Sequence, residues 1–342
     1  MSSFGFPDWK KIGWRVGKRL KDILDPPTDT GPSKEERRAQ RLRDVLKGFA
    51  YFDDFDELAA WRLGDIDPIQ QANTPLLERP AARVHDGSVR CTEVLLCHDY
   101  NGGYHDYESV RPTLLKSEPY NCHCLQYINV FVYFSHKLVC VPPPTWVNTM
   151  HRNGVKVFGT FIIEPQTPGI ERMLAVEDEQ YGVAVQLASM AHAYGFDGWL
   201  LNVEKEFPKN FPDLTRKLNG FILNLRRHLG EKGEVIWYDA LNIDNEVEYQ
   251  NGLTAKNFEY ARSADALFTN YKWTKAGLQE AQTVAGESEI AISGVFFGID
   301  VWAQNTNMPG PPRITFPEKG GGGTNTGLVR FSSIHTFSCM RV

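Results

Sequence analysis

Asn202 and Glu204 are the residues whose types and spacing point most directly to chemistry. They end the run Gly198-Trp199-Leu200-Leu201-Asn202-Val203-Glu204, which follows an aromatic–Gly pair and an Asp-Gly turn signal across Tyr194-Gly195-Phe196-Asp197-Gly198. Side chains alternate faces along a strand, so Asn202 and Glu204 point the same way, roughly 6–7 Å apart at about 3.3 Å per residue. Leu201 and Val203 point the other way, into apolar packing. A carboxylic acid can give and take a proton, and an amide beside it can orient a polar group without titrating. A buried strand that ends in this pair fits the catalytic end of a parallel barrel strand. The plainer reading is a loop's first polar residues, or a helix cap.

Other parts of the chain must bring partners to that pair. Apolar, β-branched or aromatic runs occur at 94–97, 128–134, 155–163, 199–203, 235–238, 266–269 and 292–297, as expected of strands buried on both faces. Helix-like segments lie between them, for example at 145–152, 181–194, 214–229 and 255–263. Strand then helix about every 30 residues makes a parallel α/β sheet, and seven such units predict a (β/α)8 TIM barrel. Only 328–334 could supply an eighth strand, and it is a poor one: either it closes the barrel or the barrel is open. Polar residues follow six of the strands: His98-Asp99, Glu164, Asn202 with Glu204, Tyr238-Asp239, Asn270-Tyr271 and Asp300. A barrel gathers those ends at one mouth. No GxGxxG follows a strand and no P-loop is present, which disfavours nucleotide binding.

Composition narrows the classes further. The chain has 342 residues with 42% hydrophobic and 23% charged, enough for one large barrel or two ordinary domains. Its net charge of -5 gives no overall attraction to nucleic acid. Among six cysteines there is no CxxC pair, and Cys122-His123-Cys124 is too tight for a zinc knuckle, so neither a metal nor any other cofactor is expected. Residues 1–30 hold no apolar run of signal-peptide length, and no stretch approaches a membrane span. The expectation is a cytoplasmic protein with reduced thiols.

Two segments precede the main body. Trp9, Ile12, Val16, Leu20 and Ile23 recur at helical spacing, with basic residues on the other face, so residues 8–24 form a candidate for weak membrane-surface contact. Asp25-Pro26-Pro27 ends that helix. Ser33 and Glu36 form a capping box that opens a second helix to about Lys47, closed by Gly48. The expected division is a helical and flexible extension over 1–47, then one catalytic domain over 48–342 with an atypical tail at 303–342.

The motifs resemble those of family-85 glycoside hydrolases, the cytosolic-type endo-β-N-acetylglucosaminidases. Those that carry the resemblance are Leu95-Leu96-Cys97-His98-Asp99 with Gly102-Gly103-Tyr104, and Gln126 to His136. His151-Arg152-Asn153-Gly154 with Gly159-Thr160-Phe161, and Gly195-Phe196-Asp197-Gly198 through Glu204, come next. Trp237-Tyr238-Asp239, Phe268-Thr269-Asn270-Tyr271 with Trp273, and Gly298-Ile299-Asp300-Val301-Trp302 complete the set. The resemblance implies a (β/α)8 domain that cleaves the β-1,4 bond between the two core N-acetylglucosamines of N-glycans. It implies that Asn202 and Glu204 are the catalytic pair, with Tyr238 a third active-site residue. It further implies that Tyr249 and Trp273 line the sugar site and that His98, Glu164 and Asn270 lie near the substrate. Tyr249 stands where relatives usually carry Trp, Pro165 replaces a Trp, and Ala303-Gln304 replaces Gly-Arg. The tail lacks the family's eighth-strand run, and downstream β-domains are absent, so the tail either completes the barrel in another way or reflects a truncated or mis-spliced gene model.

The implied chemistry lets the substrate's 2-acetamido group act as nucleophile, outside the two-carboxylate scheme. Glu204 is then acid and later base, Asn202 aligns the acetamide, and Tyr238 bonds the same region. Asp197, Leu200, Asn202 and Glu204 also match the spacing of the chitinase pattern Asp-x-x-Asp-x-Asp-x-Glu, with an amide in the third place. A chitinase-like hydrolase and an inactive N-glycan-binding barrel are the alternatives, and a partner- or membrane-docked scaffold would rest on residues 8–24 alone.

Overall fold

The computed structural model describes residues 32–79, 93–99, 103–111, 122, 124–288, 290–300 and 325–330. In chain order its elements are α1 (Lys34–Val45), β1 (Ala50–Phe52), α2 (Phe55–Ala60), β2 (Glu93–Asp99), β3 (Val130–Phe134), β4 (Val139–Val141) and α3 (Pro144–Arg152). They continue with β5 (Lys156–Ile163), the two-residue strands β6 (Val176–Glu177) and β7 (Gln180–Tyr181), α4 (Gly182–Tyr194), β8 (Gly198–Val203) and α5 (Leu214–Leu229). The last are β9 (Glu234–Tyr238), α6 (Phe258–Ser263), β10 (Ala266–Phe268), α7 (Lys275–Glu287), β11 (Val295–Asp300) and β12 (Asn325–Arg330). The chain divides into two compact units after Arg43. In α1 the capping box forms: the Glu36 N–H donates to Ser33 Oγ at 3.2 Å and the Ser33 N–H donates to Glu36 Oε2 at 2.7 Å. Residues 8–24, proposed as a surface helix, lie outside the described residues, as does most of the tail.

The strands make an α/β fold. Parallel pairing runs β2–β3–β5–β8–β9–β10–β11. β12 then pairs antiparallel with both β11 and β2, so the pairings return to their start. The seven strand expectations of the sequence all recur. The eighth position differs: the expected strand was 328–334, and the observed one begins at Asn325 and runs antiparallel. Asn325-Thr326-Gly327 has poor strand propensity, and pairing on both edges overrides it. On the other side β4 and β1 extend the sheet antiparallel from β5.

Alternation gives the sheet two faces. One face carries a cluster drawn largely from the strands, including Leu95, Val132, Phe158, Leu200, Ile236 and Phe268. The opposite face packs on the helices, with Phe131, Phe161, Trp199, Leu201 and Trp237 against Leu187, Phe221 and Tyr260. In α4, alanines and Leu187 let the helix lie close, and the Trp199 indole donates to the Leu187 carbonyl at 3.0 Å. The helix stops at Gly195, whose φ of +83° and whose approach to the Ala72 carbonyl leave no room for a side chain.

A repeated device sits at the amino ends of the strands. A polar residue one place before a strand accepts the N–H of its neighbour: Asn129 from Val94 at 2.9 Å, Asp197 from Val157 at 2.7 Å, Asp265 from Val235 at 2.8 Å. Asp197 also accepts from His151 Nε2 at 2.8 Å, while His151 Nδ1 donates to the Thr74 carbonyl at 2.7 Å. Both acceptors demand donors, so the imidazole is doubly protonated. Burial alone would lower the His151 pKa, but the Asp197 hydrogen bond and charge with the Thr74 carbonyl outweigh it and raise it. Asp197 thus belongs to the strands' amino-terminal end, away from Glu204. Asp197→Ala is expected to lower stability by about 3 kcal/mol, since it strands a buried cation and a ladder N–H. Urea unfolding measures it, and a loss under about 1 kcal/mol would exclude this role.

Candidate active site

Asn202 and Glu204 stand in the register of Leu200, on the strand face away from the helices, at the carboxyl end of β8. Trp199, Leu201 and Val203 fill the helix face. The backbone N–H of Glu204 donates to the Ile163 carbonyl at 2.8 Å, which carries the β5–β8 ladder one step past the strand. Asn202 is 4% exposed, and its Nδ2 donates to Glu204 Oε1 at 3.3 Å. A carboxylate only accepts there, so the amide is oriented: its Oδ1 is left buried with no hydrogen-bond partner. An orphaned buried carbonyl costs about 1–3 kcal/mol, and the one here points at a missing donor.

Glu164 lies beside this pair. The β5–β8 register aligns Ile162 with Asn202 and Ile163 with Val203, so Glu164 falls next to Glu204. It accepts from Gln166 Nε2 at 2.6 Å and pairs with His136 Nδ1 at 2.9 Å. Tyr238 ends β9 on the same face, buried at 7% exposure. Tyr249 is 39% exposed, with its ring edge-on to Tyr238 at 6.2 Å. Burial and then the neighbouring Tyr271, Tyr249, Glu204 and Asp239 hold the Tyr238 phenol well above its usual value. Burial, followed by the charge and hydrogen bond of Glu204, pushes Tyr249 up to about 12. Both hydroxyls therefore stay protonated at neutral pH and can donate.

Three other expected residues lie differently. His98 alternates with Cys97, which faces the Asn202 side, so its ring turns to the helix face between Phe131 and Trp146, each 5.6 Å away. It is 2% exposed, and burial, then His105, lowers its pKa to about 2. Trp273 is 1% exposed in the helix-face core, its indole donating to the Gly298 carbonyl at 2.7 Å. Neither joins Glu204. Asn270 reaches the rim, but its Oδ1 accepts the Tyr271 N–H at 2.6 Å. Trp273→Phe should cost about 1 kcal/mol in stability and leave KM for any sugar unchanged; a several-fold rise in KM without loss of stability would return Trp273 to the site.

Tyr271 was not among the sequence's site residues, yet it stands close enough to both Tyr238 and Tyr249 to raise them. Its advance signals were its position after β10 and its place in the run Phe268-Thr269-Asn270-Tyr271. Among the described residues no cluster of His, Cys, Asp and Glu could hold a metal ion.

An acid, an amide and tyrosine hydroxyls gathered at the carboxyl ends of parallel strands define an α/β protein with its site at the usual rim. The chain belongs to glycosyl hydrolase family 85, whose profile matches residues 104–338. It is 34% identical over 265 residues to the cytosolic endo-beta-N-acetylglucosaminidase of Gallus gallus, covering 75% of this chain and 34% of that protein. The Homo sapiens protein of the same name is 35% identical over 267 residues, covering 76% and 34%. Cytosolic endo-beta-N-acetylglucosaminidase 1 of Arabidopsis thaliana is 34% identical over 288 residues, covering 82% and 39%. The chain thus spans about a third of the length of these relatives. The fold is also that of the glycoside hydrolase domain of Endo-D from Streptococcus pneumoniae R6, at 23% identity and TM-score 0.59 over 72% of this chain and 41% of that one.

Proposed function

We propose that the chain is an endo-β-N-acetylglucosaminidase domain that hydrolyses the β-1,4 bond of the N,N′-diacetylchitobiose core of N-glycans. The strand pairings support reading its sheet as a (β/α)8-type barrel with an antiparallel eighth strand. The reaction is retaining and substrate-assisted. The acetamide carbonyl oxygen of the sugar attacks C1 as the bond to the departing oxygen breaks, and Glu204 protonates that oxygen. An oxazolinium ion forms. Water then attacks C1 while Glu204, now a base, takes its proton and restores the acetamide. Asn202 Oδ1 accepts the acetamide N–H, which aligns the carbonyl and stabilises the positive charge that develops on it. The Tyr238 hydroxyl donates to the acetamide region, Tyr249 offers a ring to the sugar, and Glu164 and Asn270 bound the substrate rim.

One observation carries this reading: the orphaned Oδ1 of Asn202, held by a hydrogen bond from its own amide to the acid it would serve. The test is an asparagine-linked high-mannose glycopeptide with mass detection of the product. A single N-acetylglucosamine left on the peptide is expected. An intact glycan, or preference for chitin oligomers, would overturn it. A cytoplasmic location is part of the proposal, because the relatives are named cytosolic. No helix of the described residues is long and apolar enough to cross a membrane.

A further inference from the structure

Asp239 is the residue after Tyr238 and faces the other way. It is 1% exposed and takes no part in the chemistry above. Its two carboxylate oxygens collect donors from the loop that follows β9. Oδ1 accepts from the Gln250 N–H at 3.2 Å and from Asn257 Nδ2 at 2.9 Å, and Oδ2 accepts from the Asn251 N–H at 2.6 Å. The backbone of Asn270, in the loop after β10, lies close enough to favour the charged form of the same carboxyl. Asn251 then joins the loops directly: its Oδ1 accepts the Lys272 N–H at 2.8 Å and its Nδ2 donates to the Tyr249 carbonyl at 2.9 Å. The first loop bears Tyr249 and the second bears Asn270 and Tyr271.

We propose that Asp239 is the positioning residue of the active-site rim, a buried carboxylate that sets the 249–257 loop so that the Tyr249 hydroxyl meets Glu204. Three donors of the 249–257 loop converge on this one buried side chain. Asn251 holds a φ of +56°, a left-handed turn conformation that asparagine tolerates better than most side chains, and its N–H bond to Asp239 is 2.6 Å long. The bonds fix a loop that has no helix or strand of its own until α6 at Phe258. A displacement of about 1 Å at Tyr249 would draw its hydroxyl away from Glu204, its electrostatic neighbour, and cost on the order of 100-fold in rate.

This assignment rests on the glycosidase reading for its kinetics, so the experiment has two arms. The first is hydrogen exchange on the full chain, with and without Asp239→Asn. Faster exchange of the amides at 249–257 and 270–272, with α5 still protected, is expected; unchanged loops, or equal acceleration throughout α5, would overturn the proposal. The second is a double-mutant cycle with Tyr249→Phe on the high-mannose glycopeptide. If Asp239 acts through Tyr249, the pair should lose no more kcat than the worse single variant, whereas a merely structural role gives losses that multiply. Should Asp239→Asn fail to fold, Asn257→Ser removes one loop donor and carries both arms. Wild-type protein without activity but with the expected exchange pattern would overturn the enzymatic reading and leave the loop role standing.

Discussion

Glu204→Gln should abolish measurable release of glycan from a high-mannose glycopeptide while leaving the protein folded. The amide is the same size and still offers Oε1 to Asn202 Nδ2, so the rim keeps its geometry. What it loses is the proton. Departure of a sugar oxygen without protonation leaves an alkoxide, and a general acid in this position is worth about 10²–10⁴-fold. At about 1.4 kcal/mol per decade, that is roughly 3–5 kcal/mol of barrier. The effect should fall on kcat more than on KM, because proton transfer occurs only in the transition state. A thermal melt unchanged within a degree or two, beside the rate loss, separates chemistry from unfolding. Turnover within tenfold of wild type would remove Glu204 from the acid role and leave Glu164, its neighbour across the β5–β8 register, as the carboxylate to test.

The positions of these groups were legible in the sequence to different depths. Asn202 and Glu204 could be placed on one face because strand periodicity is strict and the flanking Leu201 and Val203 needed the other. His98 obeyed the same rule with the opposite outcome. It lies one residue beyond Cys97, and a one-residue offset sends a side chain to the other face. Polarity at a strand's end says that a residue is near the rim, not which side it faces. Trp273 is a different limit: a tryptophan after a strand reads equally as a sugar platform or as core, and only the Gly298 carbonyl that receives its indole proton decides. Tyr271 and Asp239 depend on how loops meet, at separations that local patterning does not encode. The antiparallel β12 depends on edges offered by β2 and β11 rather than on the propensity of Asn325-Thr326-Gly327.

Asn202→Ala offers the second large effect, and it divides the reaction in two. Hydrolysis of the intact glycan requires the acetamide to be turned and polarised before it attacks C1. With Asn202 removed, that step should slow by about 10²–10³-fold, the cost of losing one preorganised hydrogen-bonding group at a developing charge. A pre-formed sugar oxazoline has already passed that step, so its consumption by the same variant should fall far less. Stability should move the other way or hardly at all. The wild-type Oδ1 is buried without a donor, and deleting an unsatisfied carbonyl removes a penalty of about 1–3 kcal/mol that offsets the lost packing and the bond to Glu204. A site that keeps an unpaired amide oxygen at the expense of stability is one whose partner arrives with the ligand. Equal loss on glycan and oxazoline would mean that Asn202 does not act on the acetamide. A large drop in melting temperature would mean that its amide serves the fold instead.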